Sequence, residues 1–131
     1  MRSFLAAAAL AGLSSVSFAQ QAAEPAPRVL EEITLSLEGP VDRQSVTYAC
    51  RASEDAEPNR ITVDYINLPH SNLAIVPVDG HPTLFASVVS ASGARYVSGA
   101  KVWWTRGPRG DLYDETQGGI AGSILCRVER G

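Results

Sequence analysis

From residue 29 onward, glycine and proline recur too often for a helix to establish itself, and that spacing constrains the fold more than any other feature. No window there sustains a 3.6-residue apolar stripe of helical length. The intervals between the breakers are short, β-branched and aromatic. Residues 33–37 alternate as Ile-Thr-Leu-Ser-Leu, which predicts a half-buried strand ended by Gly39-Pro40. Residues 45–50 alternate again, with Val46, Tyr48 and Cys50 on one side. Further strands are expected at 61–65, 73–78, 83–89, 95–97, 101–105, 111–113 and 124–128, and Asp79-Gly80 between two apolar runs is a hairpin signal. About eight or nine short strands predict an all-β, antiparallel barrel or sandwich, and closing the sheet would remove the exposed edges.

The N-terminal region has a different character. Arg2, the apolar run over residues 4–13 and the small residues around Ser17-Phe18-Ala19 read as a signal peptide over 1–19, cleaved after Ala19. The run is too short to cross a bilayer. No cysteine lies near the cut to carry a lipid, and no later run is apolar enough for a membrane helix, so a soluble exported protein is expected. Residues 20–28, rich in Ala, Pro and Gln, read as a flexible lead-in. Residues 29–131 are then a single domain with one core.

The formal charge of −3 becomes −4 once Arg2 leaves with the leader, which argues against nucleic acid or anionic lipid as the main partner. Cys50 and Cys126 are the only cysteines. In an oxidising compartment they predict a disulfide that ties an early strand to the last one, contributing about 4 kcal/mol through loop closure.

Within this acidic chain the segment 80–110 holds no carboxylate, yet it contains Arg95, Lys101, Arg106 and Arg109. A basic, Ser/Gly-rich stretch is expected to face something negative. No constellation makes an enzyme. His70 and His81 sit beside prolines in turns, Ser92 lacks the nucleophile-elbow glycine, and no ligand cluster, phosphate loop or dinucleotide fingerprint implies a metal or cofactor. Asp111, Asp114 and Glu115 read as a solvated hairpin shoulder rather than a paired-carboxylate site. Trp103 and Trp104, adjacent in a strand, should point to opposite faces, one into the core and one outward. An outward indole beside the basic loop leaves a cell-wall glycan-binding module as the alternative function.

Ser92-Gly93-Ala94-Arg95-Tyr96 resembles the Ser-Gly-x-x-Tyr motif of the C-type lysozyme inhibitor family, and Thr105-Arg106-Gly107 is similar to its second motif, usually ending Thr-Lys-Gly. Val46-Thr47-Tyr48-Ala49-Cys50 and the late Cys126 look like its flanking cysteine pair. The resemblance implies a small eight-stranded antiparallel β-barrel in the periplasm, with C-type lysozyme as its protein partner. In this reading loops enter the lysozyme cleft, with Ser92 and Arg106 on the two catalytic carboxylates. Gly93, Arg95, Tyr96, Lys101 and Thr105 complete the expected contact set. Arg106 stands where the family usually has lysine, and Lys101 where an aromatic opens the second motif.

Overall fold

The computed structural model describes residues 32–130, and its strands close into one antiparallel barrel. They are β1 (Asp42–Arg51), β2 (Asn59–Asn67), β3 (Asn72–Val78), β4 (His81–Val88), β5 (Ala94–Ser98), β6 (Lys101–Arg106), β7 (Arg109–Asp114) and β8 (Ile124–Val128). Each strand pairs with the next and β8 returns to β1, so the order around the barrel is the order in the chain. A 3-10 turn, Gly119–Gly122, lies between β7 and β8. Short strands and tight turns favour this up-and-down path, because no connection has to cross an end of the barrel.

Period-two alternation fills the interior. Tyr48 and Cys50 of β1, Val63 of β2, Ala74 and Val76 of β3, Phe85, Tyr96, Trp103 and Cys126 form one buried cluster. Trp103 is its centre and is 0% exposed. Its indole Nε1 donates to Tyr65 Oη at 2.9 Å, and the hydroxyls of Tyr65 and Tyr48 lie 2.8 Å apart. The Tyr48 ring meets the Trp103 ring edge-on, with centroids 5.1 Å apart. Tyr48 and Trp103 can be buried here, with Tyr65 half-buried against them, because their polar atoms satisfy one another. Burial pushes the phenols of Tyr48, Tyr65 and Tyr96 above their ordinary range. Gly110 on β7 makes room for the indole, since a Cβ there would fall 2.3 Å from Trp103 Cη2.

The expected disulfide joins Cys50 to Cys126, directly opposite each other where β1 and β8 close the barrel. The Asp79-Gly80 hairpin is also present, linking β3 to β4. One expected strand does not form. Residues 33–37 carry no strand, and Leu37 is exposed. Alternation describes the faces a strand would have, but it does not supply a neighbour to pair with. The eight strands of the barrel begin at Asp42. The expected signal peptide and the lead-in over 20–28 lie outside the described residues.

Candidate binding surface

The two motif segments meet at one end of the barrel. Ser92-Gly93 lies in the connection entering β5, and Arg106-Gly107 in the turn leaving β6, which pairs with β5 through Ala94 opposite Thr105. Gly93 fixes their approach. It adopts φ +64°, and a Cβ there would sit 2.1 Å from the Thr105 carbonyl oxygen and 2.8 Å from Arg106 Cγ. Any larger residue would push the loop off β6. The Ser92 carbonyl accepts from Ser90 Oγ at 2.6 Å and from Trp104 Nε1 at 2.9 Å. With its backbone anchored this way, the exposed Ser92 hydroxyl makes no hydrogen bond among the described residues. Thr105 is half-buried, and its Oγ1 donates to Ala94 O at 3.3 Å.

Trp103 and Trp104 divide as expected. Trp103 belongs to the core, whereas Trp104 lies on the outer face and carries the Arg106 guanidinium 4.0 Å from its ring centroid. Trp103 is therefore withdrawn from the glycan-binding alternative, and Trp104 already carries a cation on its ring.

The basic stretch is not free charge. Arg95 Nη2 pairs with Glu115 at 2.7 Å, Lys101 with Asp114 at 3.4 Å, and Arg106 and Arg109 both with Asp111, at 2.8 and 2.9 Å. The solvated shoulder expected at Asp111, Asp114 and Glu115 is therefore wrong for Asp111, which is 0% exposed. Asp111 lies opposite Trp104 in the β6–β7 register, beneath the two arginines. Its oxygens accept from Arg106 Nη2, from Nε and Nη2 of Arg109, and from Ser123 Oγ at 3.4 Å. Burial alone would push this carboxyl up, but the hydrogen bonds and charges of Arg109 and Arg106 outweigh it and hold the group below its ordinary value. Arg106 Nε is buried without a partner.

Three residues of the expected contact set differ from Ser92 in their surroundings. Tyr96 points inward and is 6% exposed, its ring 5.8 Å from that of Tyr65, so it supports the loop from inside the barrel. Arg95 faces outward opposite Trp104, but its side chain is tied to Glu115. Lys101 opens β6 and so stands at the other end of the barrel, roughly 16 Å from Arg106 at the usual strand rise. It lines a mouth of about 800 Å³ together with Cys50, Ile61, Val78, Leu112 and Asp114. No group of potential ligands capable of holding a metal occurs among the described residues. Asp111 was missed as part of the surface, and Arg109 was placed in the basic stretch but not in the expected contact set. Their signal was the two-residue Gly107-Pro108 turn, which sets Arg106 opposite Arg109 and brings Asp111 back alongside.

Residues 48–121 match the family described as membrane-bound lysozyme inhibitor of C-type lysozyme. This chain belongs to that family. Its members include the membrane-bound lysozyme inhibitor of C-type lysozyme of Pseudomonas aeruginosa, 37% identical over 91 residues, covering 69% of this chain and 68% of the relative. The namesake in Cupriavidus necator is 38% identical over 88 residues, covering 67% of this chain and 66% of its own length. The match to each thus spans about two thirds of the relative. In three dimensions the chain is similar to the crystal structure of P. aeruginosa MliC in complex with hen egg white lysozyme. That similarity has a TM-score of 0.59 at 32% identity, covering 78% of this chain and 98% of the other. Membership of the lysozyme-inhibitor family accords with both motifs and places them within the matched span.

Proposed function

We propose that this protein inhibits C-type lysozyme by presenting the Ser92 and Arg106 loops to the active-site cleft of the enzyme. The observation that carries this reading is the meeting of both motifs at one end of the barrel, with the Ser92 hydroxyl exposed and unengaged. Family membership and the likeness to an inhibitor solved with hen egg white lysozyme support it.

The chemistry is complementary. A retaining glycosidase holds one carboxyl group protonated and one ionised. A hydroxyl can accept from the first and donate to the second, while a guanidinium pairs with the anion. Occupying both groups removes the acid and fills the sugar site. The acidic character of the chain also favours encounter with a basic enzyme.

Both cysteines are consumed by the disulfide, so neither is left in this chain for a lipid thioether. Among the described residues no helix is long and apolar enough to cross a membrane. The signal peptide expected over residues 1–19 is the support for a periplasmic form of a family described as membrane-bound. Release of the protein by osmotic shock, without detergent, tests that location.

The decisive assay mixes purified protein with a C-type lysozyme and follows clearing of a cell-wall suspension. Undiminished clearing at large molar excess would overturn the proposal. Arg106→Ala should weaken inhibition by about 2–5 kcal/mol, because it strands a carboxylate of the partner without its cation. Inhibition constants for wild type and variant measure this directly.

A further inference from the structure

Three arginines stand in a row across the outside of the barrel. Arg106 of β6 lies opposite Arg109 of β7, and Arg109 lies opposite Arg127 of β8. Their neighbours Gly110 and Cys126 face inward, against Trp103 and within the core, so Arg109 and Arg127 face out. Arg106 faces out with Trp104, on which it stacks.

Like charges directly opposite one another in a sheet destabilise it. Here Asp111 is, among the described residues, the one carboxylate that engages the row, and it serves Arg106 and Arg109. Arg127 is exposed and forms no ion pair among the described residues, while nearby Glu129 is taken by Arg60 at 2.7 Å. Three positive charges against one negative leave the row at +2, in a chain whose formal charge is −3. Folding gains nothing from this crowding, and Arg106 Nε is left buried without a partner. Arg106 and Arg109 are 35% and 41% exposed, so solvent and a partner can still reach them.

We infer that the Arg106, Arg109 and Arg127 row is a carboxylate-reading surface that extends the inhibitory loop around the barrel wall, with Asp111 as the positioning residue that fixes its first two members. The inference rests on the proposed inhibition of lysozyme and deepens it. Arg106 belongs to both surfaces, so a partner docked on the loop end also meets the row. Planar guanidinium groups match carboxylates in two-pronged geometry and are more weakly hydrated than ammonium groups, which suits acidic side chains of a protein. An anionic membrane is the poorer fit. Lipid headgroups are held by clusters of about four to eight cations, against three in this row, and Lys101, the only lysine of the chain, lies at the other end of the barrel.

The test measures lysozyme binding by titration for wild type, Arg109→Gln, Arg127→Gln and the double variant, with melting curves recorded alongside. Arg109→Gln should weaken binding roughly tenfold and Arg127→Gln roughly threefold. For Asp111, Asp111→Asn is compared in the wild-type background and in Arg106→Gln/Arg109→Gln. A positioning role predicts weaker binding in the first and no further loss in the second, whereas a general structural role would weaken both.

If wild type binds lysozyme and the Arg109 and Arg127 variants bind equally well, the row is not a binding surface, although inhibition through the loop survives. If wild type does not bind, the inference falls together with the proposed function. Binding to phosphatidylglycerol vesicles that these substitutions abolish, without change in lysozyme affinity, would reassign the row to a membrane and overturn the inference.

Discussion

The two ends of this barrel are built on different principles. At one end, a buried carboxylate, two arginines and an anchored serine loop hold polar side chains in fixed positions on the surface. At the other, Cys50 and the half-buried pair of Lys101 and Asp114 line an open mouth of about 800 Å³. Both ends contain cations and acids. They differ in whether the acid is sealed from water, because only a sealed carboxylate fixes its partners strongly enough to preset a binding geometry.

The comparison can be broken most forcefully at the disulfide. Replacing Cys50 and Cys126 by alanine should cost about 4 kcal/mol, lowering the melting temperature by roughly 15–30 °C in calorimetry. Inhibition assayed well below the new transition should persist, since both cysteines face the core rather than the outer face that carries Arg106. Loss of inhibition in a still-folded variant would mean that the bridge and the motif loops are coupled.

Next comes the buried acid. Asp111→Asn should cost about 2–3 kcal/mol, less than for a fully buried pair because both arginines are partly exposed. The sign of its pH dependence follows from the lowered carboxyl of Asp111. Its contribution is complete above the ordinary carboxylate range and is lost as pH falls through and below that range. Melting curves taken from neutral to strongly acid pH should show the acid limb flattened in the variant, with a constant deficit near neutrality.

Smaller effects sharpen the contrast. Ser92→Ala should weaken lysozyme binding by about 1–2 kcal/mol, read by titration, and leave the melting temperature unchanged. Lys101→Gln should change stability by less than about 1 kcal/mol and leave inhibition where it was. A clear loss of inhibition from Lys101→Gln would return that residue to the contact set.

Most of the barrel was legible in the chain because its signals are local. Alternation placed Tyr48 and Cys50 inward and set Trp103 against Trp104, and Asp79-Gly80 marked its hairpin. Residues 33–37 misled because a strand also needs a neighbour, which its own pattern does not specify. The charges were misread for a related reason. Segment 80–110 looked like unopposed positive charge, but cross-strand register brings Asp111, Asp114 and Glu115 against it. Tyr96 and Lys101 were grouped with Ser92 because they occupy positions of the two family motifs. One turns into the core, and the other is carried along the strand to the far end.

The seam between first and last strands has a consequence for how the molecule comes into being. Cys50 and Cys126 are 76 positions apart, and they become partners only when the final strand docks against the first. A chain cut short before β8 could neither close its wall nor lock it. Oxidation of this pair therefore acts as a certificate of completion, leaving truncated or unfinished copies open to proteases while intact ones are sealed.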